Sequence, residues 1–285
     1  STAYGGKVGG MRQHSVSRGD AAGLQGADWP FPEIWVILGK LLFFKDFCVV
    51  PIIDSLGCET RMQRVTIPGG EELLIRSLRD RQQYCDPNGA AERLGICSAS
   101  WPLFGLLWPS SIHMAGRLAQ RPVCPDERIL EIGCGLALPT LTGRRRGARI
   151  TASDRHPLSR VFLEANARLN DVSPVKYRHG QWGLEFEPCI GDTGAELLSA
   201  RYDLIVGSDL LYDRDAPMLL ADFIDNHAAE EAEVWIMDPD RGHRPAFNRC
   251  MAGYGFQLVE EERVVTQAGE PGGPYKGRFL RYWRV

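Results

Sequence analysis

Short apolar runs alternate with helical stretches along the second half of the chain. The runs are RILEIG, ARITASD, VKYRHG, YDLIVGSD and EVWIMD, and each has the length of one buried strand. Strands that alternate with helices form right-handed crossovers, which produce a parallel sheet covered on both faces. From Arg128 onward, the pattern therefore predicts an α/β fold with a Rossmann-like, doubly wound sheet.

The best helical pattern lies in HPLSRVFLEANARLN, between the second and third runs. Its apolar positions recur with helical spacing and fall on one face, and Pro157 suits a first helical turn. The residues on that face are Leu158, Val161, Phe162, Ala165 and Leu169.

The end of the chain has a different pattern, because FQLVEEERVV and GRFLRYWRV are two strands without a helix between them. Two strands joined without a helix pair antiparallel. The sequence therefore predicts seven strands, mostly parallel, with one antiparallel strand near the edge.

The first part of the chain divides by composition into segments before this domain, which we place at residues 128–285. Residues 1–28 are rich in Gly, Ser and Ala and read as a disordered leader, whereas 29–60 form an apolar attachment of unknown role. Residues 61–127 form an N-terminal extension, in which Pro68–Gly69–Gly70 separates two apolar runs and predicts a β-hairpin.

A helix is expected at the end of this extension, after the stretch WPLFGLLWPSS. Ser110 or Ser111 could cap it, and the helix would run to about Ala119.

The apolar attachment is not expected to span a membrane. Glu33, Lys40, Lys45 and Asp46 interrupt it, and its uninterrupted runs are far shorter than the roughly 20 residues that a span requires.

Charge and cysteine usage narrow the class of protein. The 285-residue chain has a net charge of −3, which disfavours a nucleic-acid substrate. A basic run, Arg144–Arg145–Arg146, fits either a solvated helix end or a phosphate partner. The eight cysteines and the histidines lack metal-site spacing, so we expect no metal, reduced thiols and a cytoplasmic location.

The first predicted strand ends in an acid followed by two glycines, Glu131, Gly133 and Gly135. Glycines let the backbone turn sharply and approach a ligand, which in this fold lies beyond the carboxyl ends of the strands. Leu138 stands where a dinucleotide fingerprint needs a small residue, and a P-loop lysine is absent. An acid beside the loop disfavours a pyrophosphate and favours a cationic ligand such as S-adenosylmethionine.

The second strand ends in Asp154, 19 residues after Gly135. This spacing suits a carboxylate that accepts hydrogen bonds from ribose hydroxyls, in either NAD or S-adenosylmethionine.

The segments ILEIGCGLALPTL, ITASD and YDLIVGSDLLYD together resemble the seven-stranded, class I S-adenosylmethionine-dependent methyltransferases. LLWPSS and SDLLY resemble, within that class, the family 16 protein lysine methyltransferases and their nicotinamide-methylase-like bacterial relatives. The resemblance covers residues 61–285.

This resemblance implies a role for individual residues. Asp209 and Tyr212 match a D-x-x-Y motif beside the transferred methyl group, and we predict them as the catalytic residues. Cofactor contacts are implied for Trp108, Glu131, Gly133, Cys134, Gly135, Asp154, Trp182 and Ser208. Cys134 would contribute only its backbone, and Trp182 would contact the adenine. Asp238, at the end of the fifth strand, also faces the predicted crevice.

The expected activity is N-methyl transfer from S-adenosylmethionine, most directly to a protein lysine. The acceptor nitrogen must be neutral, and a carboxylate near it raises its pKa. We therefore expect Asp209 to orient an N–H group rather than to act as a strong base. A small-molecule amine as substrate, a catalytically silent cofactor-binding protein and a dehydrogenase-type nucleotide binder remain as alternatives. The sequence does not indicate the oligomeric state.

Overall fold

A computed structural model describes residues 57–183 and 190–285. The predicted leader and nearly all of the apolar attachment lie outside these residues, so neither prediction is tested. No helix in the described part is long and apolar enough to cross a membrane.

Seven strands form one sheet in the order β5-β4-β3-β6-β7-β9-β8. Their bounds are Arg128–Ile132 (β3), Arg149–Asp154 (β4), Lys176–His179 (β5), Tyr202–Ser208 (β6), Ala228–Asp238 (β7), Gln257–Thr266 (β8) and Tyr275–Arg284 (β9). Strands β3 to β7 are parallel, and β9 runs antiparallel to both of its neighbours. The predicted doubly wound sheet with one antiparallel strand is confirmed.

Seven α-helices connect or precede these strands in the described residues. They are Ala90–Arg93 (α1), Pro109–Gln120 (α2), Leu138–Arg145 (α3), Ser159–Leu169 (α4), Ile190–Thr193 (α5), Ala216–His227 (α6) and Arg244–Gly253 (α7). A 3₁₀ helix, Trp101–Gly105, lies before α2.

Successive residues of the central strands point into apolar cores on opposite faces of the sheet. Leu130 packs in a cluster with Leu220 of α6 and Phe247 of α7. Ile129 instead packs with Met114 of α2 in a separate cluster. Burial on both faces explains why these strands read as nearly continuous apolar runs.

The predicted hairpin precedes the sheet. Strands β1 (Thr60–Val65) and β2 (Leu73–Leu78) pair antiparallel and form a separate two-stranded sheet. The turn between them includes Pro68, and the amide of Gly70 donates to the Ile67 carbonyl at 3.0 Å.

The expected serine cap of helix α2 is wrong. The helix begins at Pro109, and Trp108 occupies the N-cap position without a side-chain capping bond. Ser111 lies inside the first turn, where its hydroxyl donates back to the Trp108 carbonyl at 2.8 Å. Proline explains this start, because its fixed φ and missing N–H suit the first helical position.

The most buried face of helix α4 differs from the predicted apolar face. Its buried residues include Phe162, Leu163 and Asn166, whereas Leu158, Val161 and Ala165 are only partly buried. Pro157 lies before the helix, which begins at Ser159. The buried face has therefore rotated toward Asn166, a polar residue that an apolar pattern cannot place.

Two asparagine side chains hold this helix against the hairpin. The Asn166 amide group accepts from the Arg76 N–H at 2.8 Å and donates to the Arg76 carbonyl at 3.1 Å. Asn170 makes the same pair of bonds with Leu74, both at 2.8 Å. At this edge β2 has no neighbouring strand among the described residues, and each asparagine side chain takes the place of the missing backbone partner. The backbone N–H and C=O groups of β2 are thereby satisfied.

Candidate active site

The carboxyl ends of β3, β4 and β6 surround a cavity of about 200 Å³. Seven of the residues that the sequence predicts for the site line it. They are Trp108, Gly133, Asp154, Trp182, Ser208, Asp209 and Tyr212. The structure thus brings together residues that are up to 104 positions apart in the chain, from Trp108 to Tyr212.

The glycine loop follows β3 and has a backbone that favours glycine. Gly133 and Gly135 have φ values of 56° and 51°, in the left-handed region. A Cβ at Gly133 would lie 2.5 Å from Leu210 Cδ2, and one at Gly135 would lie 2.8 Å from the Phe104 carbonyl oxygen. Both the conformation and the space therefore exclude a larger side chain.

Asp154 is tied to this loop by backbone hydrogen bonds. One carboxylate oxygen accepts from the Gly135 amide at 2.7 Å, and the other accepts from the His156 amide at 2.8 Å. Burial raises the pKa of Asp154, while these two amide donors lower it. A carboxylate has about four acceptor positions, so each oxygen keeps capacity for a ligand hydroxyl.

Glu131 does not line the cavity. It is 1% exposed, and its carboxylate accepts from the Thr140 amide at 2.8 Å in the first turn of α3. Burial raises the pKa of Glu131 to about 8. The acid that suggested a cationic ligand therefore stabilises the helix after the glycine loop, and its direct contact with a cofactor stays a prediction.

Cys134 and Gly135 also lie outside the cavity lining. Cys134 is buried, and its backbone amide donates to the Ser153 carbonyl at 3.0 Å. In the described structure their backbones thus join the loop to β4, and cofactor contacts for them remain predictions.

Aromatic side chains form two walls of the cavity. The indole N–H of Trp108 donates to the Leu103 carbonyl at 2.9 Å, and the guanidinium of Arg81 lies over its ring at 5.0 Å. Trp182 packs against Phe223 with ring centroids 5.4 Å apart. Both indoles are thus held in place by neighbouring groups.

Asp209 is the most constrained of the predicted catalytic residues. It has a φ of 59°, and its amide donates to the Met237 carbonyl at 2.9 Å. Its carboxylate forms a bidentate ion pair with Arg241, in which Nη2 and Oδ2 are 3.2 Å apart. The left-handed region is uncommon outside glycine, and aspartate is one of the few other residues that adopt it.

Tyr212 follows on the same loop as Asp209. It is 46% exposed and lines the cavity. Its ring is therefore available to a ligand, whereas the Asp209 carboxylate already has a partner.

Sequence reasoning missed three titratable residues that line the cavity, Arg155, His156 and Arg241. Arg155 and His156 directly follow Asp154, and Arg241 lies three residues after β7. Their position just beyond the carboxyl ends of parallel strands is a signal that could have identified them.

His156 is a buried neutral side chain within this wall. Its ring stacks on Phe104 with centroids 3.7 Å apart, and Nδ1 accepts from the Leu158 amide at 3.2 Å. Burial lowers the pKa of His156 well below its ordinary value. The proton of the neutral ring is therefore on Nε2, which has no hydrogen-bond partner among the described residues.

Asp238 ends β7 but does not line the cavity. It is buried, and neither carboxylate oxygen has a hydrogen-bond partner in the described residues. Burial, with a further contribution from Asp240, raises the pKa of Asp238 to about 6. The expectation that it faces the crevice is therefore not met in this structure.

The size and chemistry of the cavity bear on which ligand fits. A carboxylate with spare acceptor capacity, a glycine loop and two indoles suit the ribose and adenine of a nucleoside. No group of metal-ligating side chains occurs in the described residues. The volume of about 200 Å³ is below the range of about 300–1,000 Å³ for ligand pockets, so a cofactor as large as S-adenosylmethionine requires lining side chains to move.

A larger cavity, of about 520 Å³, lies elsewhere between α2 and the antiparallel strands. It contains neither the glycine loop nor a residue of the predicted site. Chemistry rather than volume therefore selects the smaller cavity.

Two curated methyltransferases are similar in sequence to this chain. The protein N-terminal and lysine N-methyltransferase EFM7 of Candida glabrata is 26% identical over 153 residues, which cover 50% of this chain and 59% of that protein. The histidine protein methyltransferase 1 homolog of Dictyostelium discoideum is 25% identical over 134 residues, covering 46% and 41%. The chain thus spans about half the length of these relatives.

Among solved structures, magnesium protoporphyrin IX methyltransferase from Synechocystis PCC 6803, with bound SAM, aligns with a TM-score of 0.47. The two sequences are 14% identical, and the alignment covers 73% of this chain and 89% of the Synechocystis chain. No family model matches the chain. In its glycine loop, its strand order and its sequence relatives, the chain resembles the class I S-adenosylmethionine-dependent methyltransferases and, within them, the protein methyltransferases.

Proposed function

We propose that this protein is an S-adenosylmethionine-dependent N-methyltransferase that acts on a protein side chain, most directly lysine. The observation that carries the proposal is the meeting of Gly133, Asp154 and Asp209 in one cavity at the carboxyl ends of β3, β4 and β6. The sequence relatives support a protein acceptor, because both are named for methylating proteins.

The cofactor would be held by residues that already line the cavity. Asp154 would accept hydrogen bonds from the ribose hydroxyls, and Gly133 allows close approach of the backbone. Trp182 would pack against the adenine, and Trp108 would line the other side. S-adenosylmethionine supplies an activated methyl group, and the protein supplies alignment and electrostatics.

Asp209 would orient the acceptor nitrogen by accepting a hydrogen bond from its N–H group. This requires that the carboxylate leave Arg241. Arg241 is 40% exposed at its side chain and follows β7 in a loop, so it can move into solvent. Tyr212 presents an aromatic face that would attract a cationic acceptor before its proton is lost. Exchange of Arg241 for the acceptor would thus prepare the site.

The acceptor must lose a proton, because a lysine ammonium has no free lone pair. Its ordinary pKa is about 10.4, and transfer into an apolar, aromatic site lowers that value. Ion pairing with a free Asp209 would oppose this change. We therefore assign Asp209 an orienting role, while the aromatic walls favour the neutral amine.

Methyl labelling tests this function and its substrate class together. Lysate from a strain lacking the protein is incubated with the full chain and S-adenosylmethionine that carries a tritiated methyl group. A labelled protein band supports the proposal, and hydrolysis with amino-acid analysis identifies the acceptor. Label only in small molecules would favour the small-molecule alternative, and no label with intact cofactor binding would favour a silent binder. A cytoplasmic location remains part of the proposal.

A further inference from the structure

The amino-terminal ends of the central strands carry a group of cations that the proposed function does not use. β3 begins with Arg128, β4 with Arg149 and β5 with Lys176. Together with Arg144 from the last turn of α3 and Tyr202 from the start of β6, they line a cavity of about 380 Å³. We call this the amino-end cavity. It lies at the opposite end of the strands from the candidate active site.

Asp203 compensates part of the positive charge of the amino-end cavity, through its ion pair with Arg128 and a weaker interaction with Arg149. Asp203 is bound by Arg128, with Nη2 and Oδ1 2.8 Å apart and the Arg128 backbone amide donating at 2.8 Å. This pairing holds the pKa of Asp203 below its ordinary value. Arg144, Arg149 and Lys176 form no ion pair with any side chain of residues 57–183 and 190–285.

The arginines of the basic run Arg144–Arg146 have two different roles in the structure. Arg145 donates to the carbonyls of Glu72 and Asn170, and Arg146 donates to those of Leu118 and Arg121. These two arginines satisfy backbone carbonyls in nearby segments. Arg144 instead lines the amino-end cavity.

The strand register places like charges next to one another. Arg128 lies directly opposite Arg149 in the β3–β4 ladder, and Lys176 lies opposite Thr151 in the β4–β5 ladder. Like charges in opposed positions destabilise a sheet. Asp203 offsets part of this repulsion through its ion pair with Arg128, and a bound anion would offset the remainder.

A buried tyrosine also lines the amino-end cavity. Tyr202 is 3% exposed, and its hydroxyl has no hydrogen-bond partner among the described residues. A buried polar group without a partner is unusual in a folded protein and calls for a ligand or a functional explanation. Because Tyr202 lines the amino-end cavity, this unpartnered hydroxyl is a candidate donor once a ligand opens access to it.

We propose that the amino-end cavity binds a multiply charged phosphate group with the size of a di- or triphosphate. Guanidinium groups match the geometry of phosphate oxygens, and the lysine and tyrosine add further donors. The volume lies within the range of small-ligand pockets. A concave site lined by converging cations suits a compact anion better than the extended backbone of a nucleic acid or an acidic peptide.

Calorimetry with inorganic tripolyphosphate tests the proposal, using the full chain at constant ionic strength. One saturable site is expected in the wild type. The double variant Arg149→Ser/Lys176→Ser should weaken binding by at least tenfold, and Tyr202→Phe by threefold or more. Arg149 and Lys176 are exposed and make no ion pair with the described residues, so the double variant should fold.

A matched control removes the same charge elsewhere. Arg249 and Arg263 are exposed, form no ion pair within the described residues and do not line the amino-end cavity. Arg249→Ser/Arg263→Ser should change the affinity by less than twofold. Equal losses in the two double variants would show a general charge effect and overturn the proposal.

Three other results would also overturn it. They are the absence of saturable binding, an unchanged affinity in Arg149→Ser/Lys176→Ser, and tighter binding of an oligoglutamate peptide or a single-stranded oligonucleotide than of tripolyphosphate. S-adenosylmethionine affinity, measured in the same variants, should not change. Failure of this site is therefore distinguishable from failure of the proposed methyl transfer.

Discussion

The two ends of the central sheet carry different charged groups and hold them in different ways. At the carboxyl end, Asp154 and Asp238 terminate strands, and Asp209 follows one. At the amino end, Arg149 and Lys176 begin strands. The net charge of −3 for the whole chain does not show where these groups lie.

Burial explains the difference in how the charges are held. The buried carboxylate of Asp154 accepts hydrogen bonds from two backbone amides, while that of Asp209 forms an ion pair with Arg241. A buried charge requires such partners, since desolvation is otherwise too costly. The exposed cations at the amino end keep water as a partner and need no such fixation. The charges at the carboxyl end are therefore held by internal contacts, whereas those at the amino end are open to solvent.

Asp209→Asn should have the largest effect and should act only at the carboxyl end. If the carboxylate orients the acceptor nitrogen, turnover should fall by about 10²-fold, the scale on which misplaced reacting groups act. Cofactor affinity should stay within a few-fold, because Asp154 and the glycine loop are unchanged. Steady-state kinetics on the labelled substrate and calorimetry measure the two quantities.

Arg241→Gln is the matched control for that variant. It breaks the same ion pair but leaves the carboxylate in place, so turnover should stay within several-fold of the wild-type rate. A similar loss in both variants would show that Asp209 acts only by holding Arg241. An Asp209→Asn enzyme with more than half the wild-type rate would remove the catalytic role altogether.

Substitution of one glycine at each end of the sheet compares the effects of backbone strain. Gly133 and Gly147 both have positive φ, but a Cβ clashes only at Gly133 and has open space at Gly147. Gly147→Ala should therefore cost about 1–2 kcal/mol of unfolding free energy from strain alone. Gly133→Ala should cost more and should also weaken S-adenosylmethionine binding by tenfold or more.

Denaturant unfolding and calorimetry of both glycine variants check this comparison. Equal losses of stability, with cofactor affinity retained in Gly133→Ala, would mean that the glycine loop does not approach the cofactor.

Glu131→Gln should change how stability depends on pH. Burial raises the pKa of Glu131 from about 4.5 to about 8, so between these values the folded state keeps a proton that the unfolded state has lost. The free energy of unfolding therefore falls as pH rises through this window, by up to about 1.4 kcal/mol per pH unit. Glutamine can still accept from Thr140 and does not titrate.

Urea unfolding of the cofactor-free protein at pH 5, 6, 7 and 8 measures this difference. The variant should gain stability relative to the wild type with increasing pH. Parallel pH profiles would show that Glu131 is ionised in the folded protein, as a direct partner of a cationic ligand would require.

Periodicity predicts the sheet well but the polar contacts poorly. The central strands follow from short apolar runs, since burial on both faces needs continuous apolar sequence, whereas the edge strand β8 is mostly exposed. The face of α4 could not be predicted, because Asn166 and Asn170 are buried only where the edge of β2 offers unpaired backbone groups. Their partners are 90 or more positions away in the chain.

The same limit applies to the candidate site. Gly133 and Asp154 were predictable, since each lies at or just beyond the end of a strand with a recognisable local pattern. The pairing of Asp209 with Arg241 depends on how two separate loops fold toward each other, and no local pattern encodes it. Glu131 shows the converse, because its local pattern was clear but its carboxylate turns toward Thr140.

The most direct test of the account is calorimetric titration of the full chain with S-adenosylmethionine and, separately, with NAD. The account predicts measurable binding of S-adenosylmethionine, no measurable binding of NAD, and a loss of at least tenfold in Asp154→Ala. That loss is expected because the variant removes the acceptor for the ribose hydroxyls. Tighter binding of NAD than of S-adenosylmethionine, or an unchanged affinity in Asp154→Ala, would contradict it.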